Sequence, residues 1–120
     1  MHKRDWYTAL EQKSASELLE RLYGSEAGTG RRRIQALLEQ APENKDLYLF
    51  STPGRTELAG NHTDHNHGQV LAASIHLDAL ALVFPRADRR IVLRSAGFEG
   101  EFSVDLARLE PDPAEEGDFR

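Results

Sequence analysis

Between Gly54 and Gly68 the chain gathers an unusual set of polar side chains: Arg55, Asn61, Asp64 and the imidazoles of His62, His65 and His67. So many directional donors and acceptors in one short stretch suit a small ligand rich in hydroxyls. Gly54, Gly60 and Gly68 punctuate the stretch and let a ligand come close to the main chain. Arg55 offers an always-charged planar fork, matched to the spread negative charge of a phosphoryl group in transfer. Its plainer role is a structural ion pair with Glu57 or Asp64. Asp64 can accept from two hydroxyls at once, or cap its own turn, as Asp readily does. His62, taken alone, reads as surface structure. His62, Asp64, His65 and His67 also have zinc-ligand chemistry. Their spacing lacks the i, i+4 geometry of a helical H-E-x-x-H site, so no native metal is expected there.

Residues 53–71 read P-G-R-T-E-L-A-G-N-H-T-D-H-N-H-G-Q-V-L. The run resembles the first motif of the galactokinases, a branch of the GHMP sugar kinases, which reads roughly P-G-R-x-N-L-I-G-E-H-T-D-Y-N-x-G-x-V-L. Matches fall without a gap at Pro53, Gly54, Arg55, Leu58, Gly60, His62, Thr63, Asp64, Asn66, Gly68, Val70 and Leu71. The resemblance implies a transferase of galactose metabolism, moving the γ-phosphate of ATP to the anomeric hydroxyl of galactose or a related sugar. It implies ATP and Mg2+ as cofactors and Arg55 as the transition-state stabiliser. Arg55, Asn61, His62, Thr63, Asp64 and His65 become sugar-binding residues, and Ser95 takes the place of a nucleotide-side serine. A serine closing a strand is the commoner explanation for Ser95. Three positions depart from the pattern: Glu57 for asparagine, Asn61 for glutamate and His65 for tyrosine. The last two lie on the sugar-facing run and bear on which sugar is taken. The alternative is a non-catalytic sugar-binding or regulatory module of the same family.

The elements that must hold this stretch are legible on either side. Thr8 with Glu11, and Ser14 with Glu17, have capping-box spacing. Leu18, Leu19, Leu22 and Tyr23 follow the second at helical spacing, and Gly24 stops the run. Ser25 to Gly30 reads as a loop. A second helix is expected from about Arg31 to Gln40, with Ile34, Leu37 and Leu38 on one face. A strand follows from Leu47, with Leu47, Leu49 and Ser51 to one side and Tyr48 and Phe50 to the other. Pro53-Gly54 ends it. Val70–Ile75, Ala79–Phe84 (an apolar run suited to burial on both faces), Ile91–Leu93 and Phe102–Leu106 complete about five mostly antiparallel strands. Two helices and then strands indicate an α+β layer. The resemblance implies the N-terminal part of a GHMP-kinase domain, similar to the second domain of a small-subunit ribosomal protein. The expected organisation is a helical segment over 1–46, a sugar-binding sheet over 47–109 and an acidic linker over 110–120. The family's phosphate loop and catalytic aspartate are not found, so the sequence reads as the N-terminal portion of a longer kinase, inactive alone.

Composition bounds the rest. The chain has 120 residues, a formal charge of −5 and no cysteine. The acidic end from Glu110 to Arg120 carries most of that charge and leaves the body near neutral, without the basic field nucleic-acid binding needs. Arg31, Arg32 and Arg33 form the one dense basic cluster and read as a solvated helix end. No membrane partner is expected, and the lack of cysteine fits a cytoplasmic location. An apolar sheet face left uncovered is expected to favour self-association.

Overall fold

The structure, a computed structural model, describes residues 1–60, 67–110 and 113. It falls into two units, Met1–Phe84 and Pro85–Arg120. The first opens with three α-helices, α1 (Lys3–Leu10), α2 (Lys13–Tyr23) and α3 (Ala27–Glu39). Three helices stand where two were expected, because neither expected cap is a cap. Thr8 lies inside α1 and its hydroxyl donates back to the Arg4 carbonyl at 3.2 Å. The real break is Gln12, whose extended backbone ends one helix and whose carbonyl accepts from the Ala15 and Ser16 N–H groups to begin the next. Gly24 does end α2, at φ 55°. The segment after it is not a loop: Gly24–Glu26 forms one 3-10 turn, and α3 begins four residues before Arg31.

The arginine cluster is also more structural than expected. Arg31 donates to the Leu10 carbonyl and, at 2.9 Å, to the Ser16 hydroxyl, closing the α1–α2 junction. Only Arg32, bound to Thr29 at 3.0 Å, stays on its own helix. At the other end of α3 the Lys3 ammonium donates to the carbonyls of Glu39 and Ala41. A cation there satisfies orphan carbonyls and complements the helix dipole.

The helices exist to cover a sheet. β1 (Tyr48–Ala59) and β2 (Leu71–Val83) pair antiparallel, with Tyr48 opposite Val83. The apolar runs at Val70–Ile75 and Ala79–Phe84 are therefore one strand, not two. β1 likewise runs on through Pro53-Gly54 instead of ending there. Both extensions pass through a change of register, which lets the strand bend and continue. The core lies on one face: Leu10, Leu19, Ile34, Leu38, Ala41 and Leu47 are buried, with Leu49, Leu80 and Leu82 packed against them. Leu38 and Leu47 are fully buried, each contributing about 1.5–3 kcal/mol. The opposite face carries Tyr48, Phe50 and Val83, all largely exposed. The alternation expected for Leu47–Ser51 is thus present, whereas Ala79–Phe84 is covered on one side only.

In the second unit β3 (Arg90–Leu93) and β4 (Phe102–Asp105) form an antiparallel pair. Arg94 and Glu101 close its open end at 2.9 Å. Among the described residues the strands number four, all antiparallel, in two separate pairs. No described helix is long and apolar enough to cross a membrane.

Candidate functional site

Arg55 lies on β1, just beyond a break in the β1–β2 ladder. Pairing runs regularly from Tyr48↔Val83 to Pro53↔Asp78 and resumes at Arg55↔Ser74. Gly54 alone therefore faces three β2 residues, Ile75, His76 and Leu77. The approach is close: a Cβ on Gly54 would sit 3.2 Å from the Ile75 side chain and 3.3 Å from the Leu77 carbonyl. Proline before it has no N–H to give the ladder, which favours a break at this point. The Arg55 side chain is 72% exposed, and its ion partner among the described residues is Glu57, at a loose 3.8 Å.

The ladder ends at Ala59↔Leu71, and Gly60 turns away at φ 86°. A Cβ there would lie 2.2 Å from the Gln69 carbonyl oxygen and 2.9 Å from Val70 Cα. The two stems of the polar loop thus touch backbone to backbone, which only glycine permits. His67, at φ 61°, makes the left-handed turn on the returning side. Asn61, His62, Thr63, Asp64 and His65 lie outside the described residues. Arg55 stands on the strand that leads into them. Ser95 belongs to the second unit, exposed at the end of β3, where its carbonyl accepts from Phe98 N–H at 3.2 Å. No three described His, Asp or Glu side chains converge as a metal would require.

A second constellation was not anticipated. Asp78, with 5% of its side chain exposed, collects donors from three elements. Tyr23 of α2 donates its hydroxyl at 2.7 Å, Ser51 of β1 at 2.5 Å and Arg33 of α3 its guanidinium at 2.6 Å. Arg33 also donates to the Asp78 carbonyl at 2.9 Å. Burial alone pushes the Asp78 carboxyl upward. The hydrogen bonds from Ser51, Tyr23 and Arg33, with the Arg33 charge, outweigh it and hold the carboxyl below its ordinary value. Burial, then the neighbouring carboxylate, pushes the Tyr23 phenol up. Tyr23, Arg33 and Asp78 line a cleft of about 440 Å³ with Glu26, Thr29, Gly30, His76 and Leu77. The signal in the sequence was a lone acid inside an apolar strand: a buried carboxylate demands a facing cation.

Comparison with known proteins bears on the loop. The family model described as the galactokinase galactose-binding signature matches residues 39–85. The galactokinase of Lactobacillus helveticus is 35% identical over 77 residues, covering 62% of this chain and 20% of its own. That of Lactococcus lactis subsp. lactis (strain IL1403) is 35% identical over 88 residues, 68% of this chain and 22% of its own. That of Streptococcus suis (strain 05ZYH33) is 40% identical over 83 residues, 68% of this chain and 21% of its own. The chain spans about a fifth of the length of these curated relatives. No solved structure matches it. The signature covers the end of α3, both strands of the first sheet and the loop between them.

Proposed function

We propose, from the galactokinase galactose-binding signature that residues 39–85 carry, that this chain is the sugar-recognising part of a sugar 1-kinase. The longer protein would transfer the γ-phosphate of ATP to the anomeric hydroxyl of galactose or a related sugar. One observation carries the reading: an exposed guanidinium, Arg55, sits on the strand entering a loop whose two stems are pinned by backbone contact at Gly60. Loop residues can then face a ligand while the stems stay fixed. In this reading Asp64 accepts from two sugar hydroxyls, and Asn61, His62, Thr63 and His65 complete the sugar contacts. Asn61 and His65 tune which sugar is taken, because an amide pairs differently from a carboxylate. Arg55 supplies positive charge where negative charge spreads during phosphoryl transfer.

ATP and Mg2+ are what that chemistry requires. The sequence has no glycine-rich phosphate loop, and the described residues offer no cluster to hold a metal. In this reading the segment supplies the sugar side of the reaction and other residues of the longer protein hold the nucleotide, so the 120-residue chain is expected to be inactive alone. The test is ADP release by the longer protein with ATP, Mg2+ and galactose. Arg55→Ala is expected to lower kcat about 100-fold or more, the scale of losing one transition-state donor. An unchanged kcat would remove Arg55 from the chemistry.

A further inference from the structure

We infer that Asp78 is the positioning residue for Arg55. The inference rests on the reading of Arg55 as the cation at the sugar. Asp78 is the last β2 residue paired before the ladder breaks, and it stands opposite Pro53. Continued without a break, the same ladder would set Arg55 against His76. Instead Arg55 pairs with Ser74, two residues further along β2. That displacement amounts to about 7 Å along the strand. A shift of two residues keeps every side chain on its own face, so hydrophobic patterning cannot choose between the two registers. Something else must fix where the slack in β2 is taken up.

Asp78 is placed to do so. Its carboxylate is tied to Tyr23 of α2, Arg33 of α3 and Ser51 of β1, and its own carbonyl is tied again to Arg33. Ser51 belongs to the same strand as Arg55, four residues upstream. The carboxylate therefore holds β1 and β2 together immediately before the break, and anchors both to the helices. With that point fixed, Ile75–Leu77 must bulge against Gly54, where a Cβ would already crowd the Ile75 side chain. The next pair that can form is Arg55 with Ser74; a second register shift, between Glu57 and Ala59, separates that pair from the loop stems. None of the four tied groups has to touch the sugar. Their role is to set which β2 residue lies opposite Arg55.

Amide hydrogen exchange and cross-strand nuclear Overhauser contacts, measured on the 120-residue chain, test this. In Asp78→Asn the amides of Arg55–Glu57 are expected to exchange at least tenfold faster while Leu49 and Leu82 keep wild-type rates. The Arg55–Ser74 contact is expected to weaken or give way to Arg55–His76. Unchanged exchange and contacts at Arg55 overturn the inference. Should Asp78→Asn unfold the unit as a whole, Tyr23→Phe, which removes one donor of three, is read by the same criteria. A uniform change across the sheet in that variant overturns the inference, since a merely structural tie would loosen every pair alike. Galactose titrated into the same samples separates this inference from the one beneath it. A wild-type chain whose Arg55 and loop resonances do not move with galactose overturns the sugar reading. A wild-type chain that responds, beside a Tyr23→Phe chain that responds equally, overturns the positioning role.

Discussion

Gly30 and Gly28 lie on the same helix, and alanine at the two positions is expected to act with opposite sign. Helix propensity favours alanine over glycine by up to about 1 kcal/mol. At Gly28 nothing lies within 4 Å of a new Cβ, so the substitution keeps that gain, about 0.5 kcal/mol in the first turn. At Gly30 the new Cβ would lie 2.5 Å from Tyr23 Cδ2 and 2.6 Å from Cε2. These atoms form the body of the ring, which cannot swing clear without carrying its hydroxyl off Asp78. Overpacking of this kind costs about 1–3 kcal/mol. Losing a hydrogen bond to a charged acceptor costs about 1.5–3 kcal/mol more. Set against the propensity gain, Gly30→Ala is destabilising by about 2–5 kcal/mol. Urea unfolding followed by circular dichroism reads this as a midpoint lowered by about 1 M or more, for slopes typical of small proteins. A Gly30→Ala midpoint at or above wild type, or a shift of the same sign as that of Gly28→Ala, would refute the packing argument.

Stability is expected to depend on pH through the same cluster. The folded Asp78 carboxyl is held low, so its contribution is full above the ordinary carboxylate range and is lost as pH falls through the folded value. Asp78→Asn is expected to flatten the acid limb of the stability curve, below about pH 5, and an unaltered slope there would count against the cluster. Tyr23, raised by burial and its carboxylate neighbour, works in the other direction: its contribution holds below about pH 10 and fades as pH rises past the folded value. Gly60→Ala is expected to cost about 3 kcal/mol or more, because left-handed strain adds to a collision with the Gln69 carbonyl; thermal unfolding checks it, and a wild-type melting temperature would show that the stems can part. Phe50, 54% exposed on the open sheet face, is the residue to change for solubility. Phe50→Lys is expected to reduce concentration-dependent association in sedimentation velocity, and association unaltered by the charge would clear that face.

Local pattern made the inner face of the first sheet legible. Leu47 and Leu49 alternate with Tyr48 and Phe50 in the sequence, and they do so in the fold. Ile34 and Leu38 read as one helical face, and both are buried there. The end of α2 was equally plain, because Gly24 takes a conformation few other residues would. The start of α3 was not. Ala27-Gly28-Thr29-Gly30 looks like loop on propensity, yet Gly30 is the position where a small residue lets Tyr23 pack, and tertiary contact overrides the local preference. The continuity of β1 through Pro53-Gly54 was hidden for a related reason. Turn chemistry and bulge chemistry use the same residues, and only the partner strand tells them apart. Arg33 could not be assigned from its own neighbourhood, since its partner Asp78 lies 45 residues away. For Arg55 and the loop that follows it, the reading came from the resemblance of residues 53–71 to a family motif, not from local pattern. The register that sets Arg55 against Ser74 left no trace in the pattern, because a two-residue slip preserves alternation.

The backbone contact between Gly60 and Gln69–Val70 has a consequence for how such a chain can diversify. The closeness there is written into main-chain atoms and one missing side chain. The contact uses only the backbone of Gln69 and Val70, so it sets no demand on which side chains those two positions carry. The steric demand of that contact therefore falls on one position, Gly60. As the stems diversify, the glycine is the residue that cannot follow.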